Sequence, residues 1–236
     1  MDWVKELSNE AEDILTTKWE VRNGTVIPES EDVTLKNGAV KLSATFLYAD
    51  LANSSRLAKL CPWETTAKII RAYLACCTRL IIAYSGKIRS FDGDRVMGVF
   101  YGDFKNTHAV KCAREIDWAV EKIIDVKARE KFKSIQDNDV HIRHSVGLDT
   151  GEAVAVRAGI RDNNDLIWIG KPPSFAAKLS EIREYPYSVF ISKACFDKLP
   201  DGLIRNDAGT SIWEERSLEF SDTKEIIYRT KYMLTP

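Results

Sequence analysis

Three histidines and five cysteines in 236 residues leave little from which to build a zinc site, and their placement leaves less. No C-x-x-C spacing occurs. Cys76 and Cys77 adjoin inside a helical pattern, and Cys61, Cys112 and Cys195 stand apart, so the thiols read as buried groups in a reducing, cytoplasmic setting. His141 and His144 flank a strand pattern and His108 stands alone, which is not a zinc motif. Net charge is also nearly absent, at −1, so no global basic field draws nucleic acid or an anionic membrane. No apolar run approaches transmembrane length, and Met1-Asp2-Trp3 is not the start expected of a signal peptide. Repeats, low-complexity tracts and interdomain spacers are missing too. What remains, 44% apolar and 29% charged, is the composition expected of a soluble globular protein with ample core.

Two aspartates then stand out. Asp50 ends the apolar run Thr45-Phe46-Leu47-Tyr48-Ala49, and Asp94 sits in Phe91-Asp92-Gly93-Asp94-Arg95-Val96-Met97-Gly98-Val99-Phe100. Carboxylates are depleted from strand interiors and are rarely buried unpaired. Two of them brought together at strand edges are suited to sharing a hard cation, which takes one or two carboxylates plus substrate phosphates. The pattern points to metal-assisted phosphoryl chemistry. Each aspartate taken singly also fits a turn or cap, and Asp92 fits the first turn residue before Gly93.

The hydrophobic pattern predicts a helix over residues 2–17, a polar arm over 22–37 and a core strand over 44–51. It continues with a helix over 62–84 that Pro62 opens, a hairpin of 87–91 with 95–101 about Asp92-Gly93-Asp94, and a helix over 106–132. A strand over 140–148 leads into Asp149-Thr150-Gly151-Glu152 as a turn. Strands follow at 153–157 and 166–169, then a helix over 172–183, and short strands with one short helix to 233. Strand–helix–hairpin–helix–strand is the α+β, ferredoxin-like split βαβ arrangement. It sets the end of the first strand beside the hairpin turn, which would bring Asp50 to Asp94. Residues 1–40 are expected to form an N-terminal helix and arm, and 41–236 the main domain.

Four segments in that order resemble the class III nucleotidyl cyclases. They are Phe46-Leu47-Tyr48-Ala49-Asp50; Gly93 to Phe100; Val146-Gly147-Leu148-Asp149-Thr150-Gly151-Glu152-Ala153, similar to the family's G-x-x-x-G-x turn; and Ile169-Gly170-Lys171-Pro172-Pro173-Ser174-Phe175-Ala176-Ala177-Lys178-Leu179, similar to its glycine-led helix. The resemblance implies two divalent ions, Mn²⁺ or Mg²⁺, held by Asp50, Asp94 and the main-chain carbonyl of Leu51. It implies phosphate contacts from the turn Ala52, Asn53 and Ser54, and a homodimer whose composite sites draw residues from both chains. The family's transition-state Asn and Arg correspond to Ser174 and Lys178, so a weaker phosphate-facing pair remains. Its two purine readers correspond to Ser90 and Ile167, neither of which reproduces the pattern for adenine.

A small cyclase lacking both purine readers most resembles the pyrimidine cyclases of the bacterial Pycsar antiphage systems. The implied function is conversion of UTP to 3′,5′-cyclic UMP and pyrophosphate, with the product carried to a separate effector. The alternatives are a cytidylate cyclase, a purine cyclase with an unusual base pocket, and an inactive cyclase-like dimer that binds nucleotide. Tyr48 shares a strand face with Asp50 and either narrows the base pocket or packs as a core aromatic. Arg95 either contacts phosphate or is an ordinary hairpin arginine. For the family's triphosphate-binding lysine the candidates are Lys224 and Lys231. The charged stretch 127–133 is expected to be a solvated helix face.

Overall fold

The computed structural model describes residues 2–236. The chain forms two compact units, Met1–Ser43 with Glu152–Gly170 and Ala44–Gly151 with Lys171–Pro236. The first unit thus joins residues 1–43 with residues 152–170.

In the first unit, helix α1 (Trp3–Thr16) is capped by Asp2, whose carboxylate accepts the Lys5 N–H, and none of its residues is buried. The arm expected over 22–37 includes part of a strand, β1 (Glu20–Asn23), which pairs in parallel with the start of β2 (Gly38–Leu51). Its side chains are all exposed, so only backbone pairing marks it and no alternation announces it. The later part of β5 (His144–Ile160) forms an antiparallel hairpin with β6 (Asn163–Ile169). A small core joins Val33, Val40 and Ala155 with Leu166 and Trp168.

The second unit carries the split βαβ order. The remainder of β2 is followed by α2 (Ser54–Leu60) and α3 (Trp63–Ala83), then by β3 (Lys87–Asp92) and β4 (Arg95–Phe100). Next come α4 (Lys105–Ala119), a π-helical turn over Val120–Ile124, α5 (Asp125–Lys131), α6 (Lys133–Asp137) and the first part of β5. Then follow α7 (Lys171–Ser180), β7 (Val189–Ser192), the short helices α8 (Lys193–Phe196) and α9 (Asp201–Ile204), and the hairpin β8 (Glu214–Phe220) and β9 (Thr223–Thr230). The strands lie in the order β3-β4-β2-β5-β7-β9-β8. On α3 the residues Thr65, Ile69, Tyr73, Cys77 and Ile81 recur every fourth position and are buried, with Leu47, Ala49 and Leu51 of β2 in the same apolar cluster for all but Thr65.

Two expectations change. The turn expected at Asp149–Glu152 lies within one continuous strand, β5. The polar side chains there find partners other than a turn. Asp149 accepts from the Ser192 hydroxyl and from the Thr150 N–H, and the Thr150 hydroxyl meets that of Thr45. The helix α2, absent from the expected pattern, begins after Asn53, which takes a left-handed φ of 57°.

Gly147 fixes how α7 sits on β5. A Cβ there would lie 2.2 Å from the Ala176 carbonyl oxygen and 2.4 Å from the Ser180 nitrogen, both backbone atoms that cannot swing aside. Gly147→Ala is therefore expected to lower the free energy of unfolding by about 1–3 kcal/mol. Gly202→Ala, where a Cβ would meet nothing within 4 Å, should stay within about 0.5 kcal/mol of the parent. Chemical denaturation of the two variants checks the contrast.

Candidate active site

The antiparallel register of β2 on β4 sets Asp50 opposite Arg95 and Tyr48 opposite Met97. The register of β3 on β4 sets Asp92 opposite Arg95 and Ser90 opposite Met97, after a bulge between Ile88 and Ser90. Residues directly opposite share a face, as do residues two apart on a strand. Two rows result on one face of the sheet, Tyr48–Met97–Ser90 and Asp50–Arg95–Asp92. The alternate residues of β2, Leu47, Ala49 and Leu51, are buried in the core with the helices. Gly93, with φ 61°, closes the turn that carries Asp94. The Asp94 carbonyl accepts the Leu51 N–H at 3.4 Å, so this turn ends beside Asp50.

The charges in this corner are coupled. Burial pushes the Asp50 carboxyl above its ordinary value, the Arg183 hydrogen bond and charge pull it back, and Asp94 adds repulsion while Arg95 adds attraction. Arg95 donates to the Asp92 carboxylate at 2.9 Å, and its guanidinium lies 5.5 Å from the centre of the Tyr48 ring. Burial likewise raises the Tyr48 phenol, against the lowering effect of Arg95. At neutral pH the phenol keeps its proton and can donate it in a hydrogen bond. Beyond Leu51, the Ala52 N–H donates to the Arg143 carbonyl at 2.8 Å, Asn53 turns the chain, and Ser54 opens α2.

Other expected residues belong to other elements. Ser174 and Lys178 share the exposed face of α7, opposite its buried Pro172, Phe175, Ala176 and Leu179, and Lys178 pairs with Glu181 at 3.2 Å. Ile167 stands on β6 in the other unit, opposite Val156, and is exposed. Lys224 is exposed at the start of β9, and Lys231 lies 5.9 Å from the Tyr187 ring centre. The cation that does reach Asp50 is Arg183, at 2.5 Å, which the sequence patterns do not single out. Met97 is the other addition. Its place between Tyr48 and Ser90 follows from strand alternation once the bulge is known.

Among the described residues no group of three or more His, Cys, Asp or Glu forms a cage. Two carboxylates on adjacent segments, with main-chain carbonyls beside them, instead suit a hard divalent cation that completes its shell with phosphate and water. The donor set fits such an ion better than it fits zinc or copper.

No protein-family model matches the chain. The uridylate cyclase of Rhodovulum sp. (strain MB263) is 44% identical over 232 residues, covering 98% of this chain and 97% of that one. The uridylate cyclase of Xanthomonas perforans is 35% identical over 212 residues, 89% of each chain. Among solved structures, the guanylyl cyclase Cya2 superposes with a TM-score of 0.68 at 16% identity, covering 83% of this chain and 95% of that one. A bacterial light-regulated adenylyl cyclase gives 0.65 at 18% identity, covering 85% and 54%. At such identities the superpositions establish the fold, that of class III cyclase catalytic domains. The sequence relatives establish more: the chain belongs to the uridylate cyclase family.

Proposed function

We propose that this chain converts UTP to 3′,5′-cyclic UMP and pyrophosphate. The ribose 3′-oxygen bonds to the α-phosphorus, the bond from that phosphorus to the bridging oxygen of the β-phosphate breaks, and the hydroxyl proton leaves to solvent. The reading is supported above all by the row that sets Asp50 across from Arg95 with Asp94 at the adjoining turn, in a chain 44% identical to a protein named uridylate cyclase. Asp50, Asp94 and the Leu51 carbonyl would hold two divalent ions, Mn²⁺ or Mg²⁺. When bound, these ions make the 3′-hydroxyl more acidic and neutralise the departing pyrophosphate.

The protein's own groups do the positioning. In the turn Ala52–Ser54 the Ala52 N–H is taken by the Arg143 carbonyl, so the N–H groups of Asn53 and Ser54 would be the ones to meet phosphate, with Arg95 adding positive charge. Tyr48, Met97 and Ser90 form the row next to the carboxylates, where the base would lie. A protonated phenol there donates to a uracil carbonyl, and the ring limits the room for a purine. Ser174 and Lys178 lie on the exposed face of α7, where the ion-pair partner of Lys178 is Glu181. We therefore assign them to the site of a second copy, in a homodimer with two composite sites. The product would act as a second messenger in antiphage defence, through a separate effector in the cytoplasm.

Asp50→Ala or Asp94→Ala should cut cyclisation by about 10²-fold or more, with the circular dichroism spectrum and the dimer unchanged. Product formation at saturating Mn²⁺ measures it, and near-normal turnover by either variant would remove the two-carboxylate assignment. Mixing Asp94→Ala chains with Lys178→Ala chains should restore at most about half the wild-type activity per heterodimer, since one of two sites is then intact. Verified heterodimers that stay inactive would contradict shared sites. With all four nucleoside triphosphates at equal concentration, mass spectrometry should find cyclic UMP dominant by roughly ten- to hundredfold over the purine products, because a purine leaves buried polar groups unpaired. Tyr48→Ala should narrow that margin. Cyclic AMP or cyclic GMP as the main product would overturn the base assignment.

A further inference from the structure

Asp50 already holds a cation. Arg183 Nη2 donates to Asp50 Oδ2 at 2.5 Å, while Nη1 of the same guanidinium donates to the Ser180 carbonyl at 2.5 Å and the Ile182 carbonyl at 3.2 Å. Ser180 is the last residue of α7, whose final carbonyls have no partner further along the helix. One side chain therefore ties the end of α7 to the carboxylate at the end of β2. The charged groups acting on Asp50 are Arg183, Asp94 and Arg95. Of these, Arg183 is the one bonded to it. The pair is only half sequestered, with the Asp50 side chain 17% and the Arg183 side chain 34% exposed. The pair thus remains open to solvent on one side, from which a competing cation can reach the carboxylate.

The surroundings favour a polyanion as the next partner of the freed guanidinium. Arg143 stacks on Tyr185 at 3.7 Å, and its carbonyl takes the Ala52 N–H, so the segment just past Arg183 reaches the residue whose carbonyl anchors the turn after Asp50. Arg95 adds a second guanidinium on the sheet. A divalent ion on Asp50 would repel Arg183 from its present place, while a triphosphate on that ion would attract it. The planar fork of arginine matches phosphate oxygens two at a time.

We propose that Arg183 is the counter-ion of Asp50 until metal and substrate bind, and that it then transfers to the triphosphate of the nucleotide. This rests on Asp50 being a metal ligand, as proposed above. Metal and arginine then compete for one carboxylate, whereas nucleotide and arginine cooperate. Removing the arginine must move the two affinities in opposite directions, which a merely structural residue would not do.

The test uses the full chain. Mn²⁺ binding without nucleotide is followed by electron paramagnetic resonance, and the α,β-methylene analogue of UTP is then titrated in saturating Mn²⁺. Arg183→Gln should bind Mn²⁺ about two- to fivefold more tightly and the analogue roughly tenfold or more weakly. Arg183→Lys keeps the charge and loses the fork. It should leave Mn²⁺ binding near wild type, weaken the analogue, and decide the matter if the glutamine variant does not fold. Asp50→Asn should lose Mn²⁺. If Asp50→Asn loses Mn²⁺ but Arg183→Gln binds it no more tightly, or if the analogue's affinity is unchanged in both arginine variants, the exchange is wrong and the metal assignment stands. If Asp50→Asn binds Mn²⁺ like wild type, the metal assignment itself falls.

Discussion

The register of β2 against β4 is the constraint on which the candidate site depends. A strand has a side-chain period of two, so a slip of one residue would send Asp50 and Tyr48 into the apolar cluster and bring Leu47, Ala49 and Leu51 out. The cost of that exchange is what holds the register. Leu47, Leu51 and the smaller Ala49 would lose their burial, and a carboxylate would enter a predominantly apolar cluster. The chemistry on one face of the sheet is therefore kept in place by the hydrophobic effect on the other. The bulge between Ile88 and Ser90 then aligns β3, so that Ser90 and Asp92 extend the two rows across a third strand.

Charge is concentrated in that corner and only partly neutralised. Asp50 and Asp94 repel each other, and Arg95 and Arg183 offset them from opposite elements, one on the sheet and one after α7. Burial works against the ionised form of Asp50, while the arginines favour it. A site of this kind has two ways to settle its charge, by pairing internally or by taking up a cation and a polyanion. It gains from keeping both within reach.

The helix α7 illustrates how a glycine decides which face of a helix is left exposed. Without a side chain at Gly147 the backbone of α7 packs directly on β5, and the helix turns Phe175, Ala176 and Leu179 inward. Ser174 and Lys178 are left outward by the same rotation, one turn apart. Their exposure is a consequence of packing on the other side of the helix.

Much of this was legible in the sequence. The helix α3 announces itself because its buried residues recur every fourth position, and the hairpin because Asp-Gly sits between two apolar runs. Asp50 and Asp94 are conspicuous because a carboxylate beside a buried strand is chemically out of place. Other features were not legible. The strand β1 has no buried side chain and so no periodicity. Asp149-Thr150-Gly151 has turn composition, yet Ser192 and Thr45 satisfy its polar side chains from far along the chain, and the strand runs through. Arg183 lies 133 residues from its partner. Local patterns determine which segments become helix or strand and which carboxylates need a partner. Which cation meets Asp50, and which side chains share its row, depends on strand register and on the approach of α7, and these are set only when distant segments pack.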